Sequence, residues 1–364
     1  MDAVLLPRPR PVTPSYSGRL SRWAGRTARG PAGLGDSVNS CKTHEMSNDL
    51  DVKALLDPAA AEFLAQFPID LGTTFSADSL PMIRSVFGQM PAPELSGKVE
   101  NADHAIPGAE HVVVRVHRPV GPAAAARPCI YWMHGGGLVL GTYAGDDARF
   151  DRWCQQFDCV GVSVEYRLAP ECPYPGPIED CYAGLAWVHA NAASLGVDPA
   201  RIGIAGASAG AGLAAALALL ARDRGEVPVQ FQLLVYPMLD DRQTTASSHW
   251  ADPIFPRPAN TFGWTSYLGA ARGGDDVSPY AAPARAAALS GLPPTWIGVG
   301  ALDGLSDEDT DFATRLRHHG VPVEFHLYPG MPHGFVSLMP GLEQSVRAVR
   351  DMEEWLSAQL RRLA

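Results

Sequence analysis

The chain lacks the sequence features of a nucleic-acid-binding, metal-binding or membrane-spanning protein. Its formal net charge of -10 argues against nucleic acid and anionic membrane surfaces as partners. No apolar run is long enough to cross a bilayer, and the six cysteines show no metal-ligand spacing. A Cys172–Cys181 disulfide is one reading of the sequence, but reduced thiols in a cytoplasmic protein are the simpler expectation.

We do not expect a secretory signal in the first residues, because the apolar stretch at 3–6 is too short for one. Residues 1–45 hold six arginines among scattered Pro, Gly and Ser, with no periodic apolar pattern. We interpret them as a disordered extension or as the result of a start codon placed too early, with Met46 as a sensible start. A targeting peptide is the alternative interpretation.

From about residue 105 onward, short apolar runs alternate with helical patterns. Such alternation predicts an α/β fold, with a mostly parallel sheet and helices on both of its faces. Residues 46–104 show a polar, helical pattern, and residues 240–274 interrupt the alternation with Pro, Trp and Gly. The predicted strands are 111–118, 129–133, 160–166, 201–205, 229–235, 296–300 and 323–327. The predicted helices are 51–67, 146–157, 178–194, 213–222, 306–318 and 341–363.

The pentapeptide Gly-Ala-Ser-Ala-Gly at 206–210 joins a predicted strand to an alanine-rich helix. In that context a Gly-x-Ser-x-Gly turn places Ser208 in a sharp elbow at the carboxyl edge of the sheet. Glycines are needed on both sides because the strand and helix backbones pass too close for a Cβ. Free N–H groups and the helix dipole then stabilise negative charge at this point, which predicts a nucleophilic serine.

A second glycine-rich motif, His-Gly-Gly-Gly at 134–137, follows the apolar strand at 129–133. Only glycine lets a loop bring main-chain donors so near a substrate. We predict that the N–H groups of Gly136 and Gly137, with that of Ala209, form an oxyanion hole, in which one donor is typically worth about 3 kcal/mol of the barrier. His134 is expected to brace this loop by hydrogen bonds and not to act as a base.

Serine is a weak nucleophile near pH 7, so a histidine must remove its proton. In α/β-hydrolases the order along the chain is serine, acid, histidine, so the base lies after Ser208. His333 is the predicted base, because it lies in a loop just past the carboxyl end of a predicted strand. The candidates considered are His249, His318, His319, His326 and His333.

The acid is expected in the loop that follows the predicted strand at 296–300. Four carboxylates lie there, and three of them, at 307–309, open a helix, where the dipole favours anionic side chains. Ser306 with Asp309 also resembles a capping box. Asp303 is left in the loop and is the predicted triad acid, with Asp307 in reserve.

Three further motifs accompany these: Glu-Tyr-Arg-Leu-Ala-Pro-Glu at 165–171, Ser-Pro-Tyr-Ala at 278–281 and Gly-Leu-Pro-Pro at 291–294. With them the chain resembles the hormone-sensitive-lipase-like esterases, the bacterial group also called family IV, from about residue 105 to its end. The family's nucleophile, acid, base and oxyanion donors fall on Ser208, Asp303, His333, Gly136, Gly137 and Ala209. One departure is that Ala207 and Ala211 replace the Asp and the last Gly of the usual Gly-Asp-Ser-Ala-Gly-Gly elbow, which leaves the subfamily and the acyl preference open.

The resemblance implies an α/β-hydrolase fold and a serine carboxylic ester hydrolase that forms an acyl-enzyme and needs no metal or cofactor. Short to medium acyl esters of roughly two to eight carbons are expected, because residues 46–104, with 240–274, would form a cap over the pocket. Leu138, Tyr236 and Trp264 are candidates to line that pocket, and ordinary core is the alternative for each. Many relatives form homodimers through the last strand and neighbouring helices.

Other functions fit the same residues. An amidase, a lactonase or an acyltransferase would use the same triad and differ in pocket shape and water access. A long-chain lipase is disfavoured because nothing resembles a large apolar lid. A ligand receptor built on a disabled hydrolase, as in the plant gibberellin receptors, is disfavoured because Ser208, Asp303 and His333 are all retained. Fold alone does not decide between these readings.

Overall fold

Eight strands form one sheet in the computed structural model, which describes residues 50–66, 75–89 and 92–362. The strands are β1 (Val99–Ile106), β2 (Ala109–Pro119), β3 (Arg127–Met133), β4 (Val160–Glu165), β5 (Val197–Ala207), β6 (Gln232–Val235), β7 (Thr295–Gly300) and β8 (Val323–Tyr328). Their order in the sheet is β1-β2-β4-β3-β5-β6-β7-β8. The β1–β2 and β2–β4 pairs are antiparallel and the other five pairs are parallel, so the predicted mostly parallel sheet is confirmed.

Helices cover both faces of this sheet. The helices are α1 (Val52–Leu55), α2 (Pro58–Gln66), α3 (Leu80–Gly88), α4 (Asp147–Phe157), α5 (Gly176–Ala190), α6 (Ala192–Leu195), α7 (Ala209–Arg224), α8 (Arg257–Leu268), α9 (Ser306–His318), α10 (Phe335–Leu338) and α11 (Glu343–Arg362). Side chains of α5, α7 and α9 contribute to one buried cluster, and side chains of α4 and α11 contribute to a second. A parallel sheet needs such cover on both faces.

The central strands form because their side chains are apolar on both faces. Every residue of β6 and β7 is buried, as are the last six residues of β3. Continuous burial is typical of parallel strands between two helical layers. Because β3, β5, β6, β7 and β8 run parallel, the loops that follow their carboxyl ends all leave the sheet at one edge.

The helical interpretation of residues 46–104 is wrong at its end, because β1 begins at Val99. β1 was missed because it is an edge strand whose residues are mostly exposed and polar, so it has no apolar alternation. The sequence did carry a turn signal: Pro107 and Gly108 form the two-residue connection to β2, and Gly108 has a φ of +82°. Before β1, the described residues contain the helices α1 to α3, in agreement with the helical pattern.

Other boundaries differ more modestly. β6 starts at Gln232 and not at 229, the predicted helix at 178–194 is divided into α5 and α6 at Asn191, and α7 starts at Ala209, directly after Ser208. α9 spans 306–318 as predicted. The extension at 1–45, the start at Met46 and the predicted helix ends at 67 and 363 lie outside the described residues.

The described part of the chain contains free thiols and lacks a membrane-spanning helix. Cys129, Cys154, Cys159, Cys172 and Cys181 are free, so Cys172 and Cys181 do not form a disulfide. Cys41 lies outside the described residues. Among the helices described, none has the length and apolar character that a membrane span requires.

Candidate active site

Ser208 occupies a strained elbow between β5 and α7. Its backbone has φ 56° and ψ -123°, an unusual conformation for a residue other than glycine. A Cβ on Gly206 would lie 2.4 Å from the carbonyl oxygen of Gly210, and a Cβ on Gly210 would lie 2.2 Å from the carbonyl oxygen of Met133. The two glycines are therefore required by close backbone packing, which holds the Ser208 hydroxyl at the edge of the sheet.

Ser208, His333 and Asp303 form a continuous chain of hydrogen bonds. The Ser208 Oγ is 2.8 Å from His333 Nε2, and the His333 Nδ1 is 2.8 Å from Asp303 Oδ2. The three residues are 8%, 5% and 0% exposed, so solvent competes little for these bonds. In this arrangement the imidazole can accept the hydroxyl proton while the carboxylate fixes its tautomer.

The loops that carry Asp303 and His333 are held together by main-chain hydrogen bonds. The N–H of Leu302 donates to the carbonyl of Met331 at 3.0 Å, and the N–H of Ala301 donates to that of Tyr328 at 2.8 Å. Gly300 permits this approach, because a Cβ there would lie 2.2 Å from the Met331 carbonyl oxygen. The separation between Asp303 and His333 is thus set by the backbone as well as by the side chains.

The other acidic residues of this loop have different partners. The capping box expected between Ser306 and Asp309 is not formed; instead, Asp303 Oδ1 accepts from the N–H of Leu305 at 2.9 Å at the start of α9. Asp307, the reserve acid, accepts from the N–H of Ser247 at 2.8 Å. Neither carboxylate oxygen of Asp309 has a hydrogen-bond partner among the described residues, so Asp309 caps no N–H at the start of α9.

The remaining candidate histidines lie on other elements: His249 in a 3-10 helix, His318 and His319 at the end of α9, and His326 on β8. His319 Nδ1 is 2.8 Å from the carbonyl of Arg315 at the end of α9, and His326 Nε2 is 2.8 Å from a carboxylate oxygen of Glu324 on β8. His249 ends a short 3-10 helix. Of these candidates, only His333 hydrogen-bonds to Ser208 in the described part of the chain.

The glycine loop at 134–137 lies beside the elbow. Gly136 has a φ of +126° and Gly137 a φ of +60°, and a Cβ on Gly136 would lie 2.2 Å from the carbonyl oxygen of Leu140. The Gly136 carbonyl accepts from the N–H groups of Val139 and Leu140, which closes a tight turn. Ala209 is the first residue of α7, so its N–H has no acceptor within the helix. These main-chain donors suit an anion next to Ser208.

His134 supports the loop by hydrogen bonds, as expected, and also by stacking. Its ring lies 4.2 Å from that of Tyr166 at an interplanar angle of 13°, and the Tyr166 hydroxyl donates to the His134 carbonyl at 2.7 Å. Burial lowers the pKa of His134 to about 4, despite a hydrogen bond to the Gly135 carbonyl. A neutral, stacked imidazole fits the expected bracing role.

The electrostatics of His333 differ from those of His134. Burial lowers its pKa, but the charge and hydrogen bond of Asp303, with the charge of Asp252, outweigh burial and leave the pKa of His333 raised. An imidazolium is therefore stabilised here, which is what a base needs after it has taken a proton.

Of the candidate pocket residues, Tyr236 lies against His333, whereas Leu138 and Trp264 belong to the buried core. Tyr236 lies against His333, with ring centroids 4.9 Å apart, and its hydroxyl is 3.2 Å from the Ser337 Oγ. Leu138 and Trp264 are 3% and 1% exposed and belong to the larger buried cluster. Of the three, Tyr236 is the one whose ring contacts His333.

Phe255 is a site residue that the sequence did not reveal. Its ring lies 5.1 Å from that of His333 and 6.4 Å from that of Phe75, and a Cβ on Gly137 would lie 3.3 Å from it. Phe255 thus contacts both His333 and the glycine loop. It stands in Pro-Ile-Phe-Pro at 253–256, a stretch without periodicity or a known motif.

Metal binding can be assessed on the same residues. Within 50–66, 75–89 and 92–362, no group of three His, Cys, Asp or Glu side chains is arranged to hold a metal ion.

The sheet order and the serine elbow define an α/β-hydrolase, and comparison with known proteins agrees. A family model described as the α/β hydrolase fold matches residues 130–337. The chain is 35% identical to esterase LipI of Mycobacterium tuberculosis over 295 residues, 80% of this chain and 91% of that protein. It is 37% identical to carboxylesterase NlhH of the same species over 296 residues, 78% and 89% of the two chains.

Solved structures extend the likeness to three dimensions. A bacterial heroin esterase superimposes with a TM-score of 0.77 at 38% identity, over 85% of this chain and 98% of that one. Esterase LipW from Mycobacterium marinum gives a TM-score of 0.75 at 37% identity, over 85% and 97%. The chain therefore belongs to the α/β-hydrolase family, in its hormone-sensitive-lipase-like branch, and it is a carboxylesterase.

Proposed function

We propose that this carboxylesterase hydrolyses short- to medium-chain acyl esters, with Ser208 as nucleophile, His333 as general base and Asp303 as the acid that orients the base. The observation that carries the proposal is the chain of two 2.8 Å hydrogen bonds through these side chains, at the strained elbow. Ser208 attacks the ester carbonyl as His333 takes its proton, and the imidazolium then protonates the leaving alcohol. Water, activated by His333 in turn, releases the acid and the free serine.

The oxyanion of each tetrahedral intermediate is proposed to accept from the N–H groups of Gly136, Gly137 and Ala209. The positive φ values of both glycines and the position of Ala209 at the start of α7 support this role. No metal or cofactor has a part in this mechanism.

The acyl range of roughly two to eight carbons rests on a proposed cap that bounds the pocket and excludes water. Phe75 precedes α3 and lies against Phe255, which contacts the base. The N–H of Asp57 donates to the carbonyl of Gly330 at 3.0 Å, next to the base loop. From the segment at 240–274, Gly263 of α8 packs on Gly137, since a Cβ on Gly263 would lie 2.5 Å from the Gly137 carbonyl oxygen.

Two further expectations stay predictions. A homodimer through β8 and its neighbours agrees with the edge position of β8 and with Leu327, which is 49% exposed. A cytoplasmic location agrees with the five free thiols.

Hydrolysis of p-nitrophenyl esters from acetate to palmitate, measured on the wild type and on Ser208→Ala, tests the proposal. We expect activity that peaks at short or medium chains and is lost in the variant. Activity that survives in Ser208→Ala would overturn the mechanism. A folded wild type that cleaves none of these esters would shift the assignment to an amide, a lactone or a binding role.

A further inference from the structure

One buried carboxylate outside the proposed triad collects four main-chain N–H groups. Asp252 is 2% exposed, and its Oδ1 accepts from the N–H of Ile254 at 2.7 Å and from that of Phe255 at 3.0 Å. Its Oδ2 accepts from the N–H of His333 at 2.9 Å and from that of Gly304 at 3.4 Å. All of these bonds are buried, where a lost partner is costly.

The four donors belong to three separate parts of the site. His333 is the proposed base, and Gly304 directly follows Asp303. Phe255 packs its ring against the His333 imidazole, with ring centroids 5.1 Å apart. One carboxylate thus ties the base loop, the acid loop and the segment at 240–274 together. No other carboxylate in the described residues accepts a hydrogen bond from the main chain of His333.

We propose that Asp252 is a positioning residue, which holds the His333 and Asp303 loops in register so that the imidazole meets both Ser208 and Asp303. The inference rests on the proposed function and adds to it a residue whose hydrogen bonds are to main-chain N–H groups and not to the side chains of the proposed triad. A catalytic base must be held to within a fraction of an ångström, and a shift of 1 Å can cost 10²-fold in rate.

A carboxylate is needed here because every partner is a donor. Both oxygens of Asp252 accept, two bonds each. An asparagine has one oxygen and one NH2 group, so in either orientation of the amide its NH2 group would face two of the four N–H groups. Those two N–H groups would then have no acceptor. The four N–H donors therefore require a carboxylate at residue 252, and not only a side chain of the same size.

Charge gives a second consequence that can be measured. The groups that face His333 are Asp303 from the loop after β7, Asp252 from the segment at 240–274, Tyr236 from the end of β6 and Ser208 from the elbow. Of these, Asp303 and Asp252 are the two carboxylates that favour the imidazolium. Loss of the negative charge at 252 lowers the pKa of His333, so the base becomes active at lower pH.

The test is the pH profile of kcat and KM for p-nitrophenyl butyrate with wild type, Asp252→Asn and Asp180→Asn, each normalised to folded sites by titration with a fluorophosphonate. Asp180, on α5, is the matched control: it is 2% exposed and accepts from the N–H of Arg167 at 3.0 Å and from the Arg167 guanidinium, and it lies outside the proposed triad and the segment at 240–274. For Asp252→Asn we expect kcat to fall about 10- to 100-fold with little change in KM, and the acid limb to move to lower pH. Asp180→Asn should keep the wild-type limb.

An Asp252→Asn enzyme with wild-type kcat and an unmoved acid limb overturns the inference. If that variant does not fold, Asp252→Ser, which leaves space for a water among the same N–H groups, is measured in its place. A normal profile in the Ser variant, or failure of both variants to fold, assigns Asp252 to stability alone and overturns the positioning role. Ser208→Ala is measured in the same experiment. If Ser208→Ala keeps its activity, the proposed function fails and this inference fails with it. If Ser208→Ala is inactive and Asp252→Asn is unchanged, only the inference is overturned.

Discussion

The guanidinium of Arg84, on α3, donates to the main-chain carbonyl of Val139, two residues past Gly137, at 2.9 Å. The same guanidinium donates to the carbonyl of Ala169 at 2.9 Å and forms a two-pronged ion pair with Glu171 at 2.7 and 2.9 Å. The N–H of Ala169 in turn donates to the carbonyl of Leu138 at 3.0 Å. One side chain of the proposed cap is therefore bonded directly to the turn that carries the proposed oxyanion donors.

We expect Arg84→Gln to lower kcat/KM about tenfold, because a shorter side chain with one NH2 group replaces the guanidinium fork that bonds to two carbonyls and to Glu171, so the glycine loop loses support. Arg84→Lys should recover little, since an ammonium lacks the planar fork that reaches two carbonyls and a carboxylate together. Steady-state kinetics on a short p-nitrophenyl ester measure the loss, and limited proteolysis reports whether residues 75–89 detach.

Arg118 provides the matched control for that substitution. It pairs with Glu100 at 3.0 Å on the exposed β1–β2 edge, far from the carboxyl ends of the central strands. Arg118→Gln should leave both readouts at wild-type values, because exposed ion pairs contribute little. Wild-type kinetics and proteolysis in Arg84→Gln would refute the link between α3 and the glycine loop.

The raised pKa of His333 makes a prediction about pH. The base must be neutral to accept the Ser208 proton, so kcat/KM rises with pH through the pKa of His333. That pKa is raised above the ordinary value of 6.5, because Asp303 and Asp252 outweigh burial. The midpoint of the acid limb is therefore expected above pH 6.5 in the wild type.

Asp303→Asn removes the carboxylate that has the larger effect on the pKa of His333. Its activity should fall by about 10⁴-fold, as expected when a triad acid no longer fixes the tautomer, and the midpoint of the acid limb should move to lower pH. The pH dependence of kcat/KM measures both effects. Asp307→Asn serves as the control, since Asp307 bonds to Ser247 and not to His333. An acid limb at the same pH in Asp303→Asn would exclude Asp303 as the partner of the base.

The elbow glycines give a steric prediction. A Cβ at 210 would lie 2.2 Å from the carbonyl oxygen of Met133 and 2.3 Å from that of His134, and backbone atoms cannot move aside as a flexible side chain can. Gly210→Ala should therefore displace Ser208 or the glycine loop and lower kcat/KM at least about 100-fold. Kinetics and the melting temperature are the measurements.

Gly145→Ala is the matched control, because a Cβ there meets nothing within 4 Å and Gly145 does not have a positive φ. It should leave kcat/KM unchanged. A Gly210→Ala enzyme with full activity would show that the elbow tolerates a side chain and that the pattern of glycines has another cause.

The fold was predictable where burial leaves a pattern in the sequence. β3 and β7 are continuous apolar runs, and α9 occupies the predicted residues, because its apolar face and its anionic first turn are both local signals. β1 was not predictable in this way, since an exposed edge strand has no apolar alternation. Its hairpin turn, at Pro107 and Gly108, was the available signal.

The candidate site was predictable where chemistry demands a residue type in a short motif. The elbow around Ser208 and the loop of His333 are of this kind. Asp252 and Arg84 bond to groups that lie 81 and 55 residues away in the sequence, and these partners are main-chain groups, which every residue has. Such contacts leave no pattern in a single sequence, so the supporting residues of the site emerged only from the structure.

Asp309 offers a prediction about stability that is independent of the reaction. It is 0% exposed, and neither carboxylate oxygen has a hydrogen-bond partner among the described residues. Burial raises the pKa of Asp309 well above its ordinary value, with the charges of Glu308 and Asp303 adding to the effect. The folded protein therefore keeps a proton on Asp309 at pH values where the unfolded chain has lost it.

The free energy of unfolding should consequently fall as pH rises from about 4 towards the folded-state pKa of Asp309, by up to about 1.4 kcal/mol per pH unit for this one group. Asp309→Asn carries no ionisable proton, so its stability relative to the wild type should increase as pH rises through that window. Urea unfolding between pH 5 and pH 8 measures the difference. Asp311→Asn, at an exposed acid two residues along α9, removes a charge from the same helix without burial and should show no such trend. An Asp309→Asn advantage that stays constant from pH 5 to pH 8 would mean that Asp309 ionises in the folded protein much as it does in the unfolded chain.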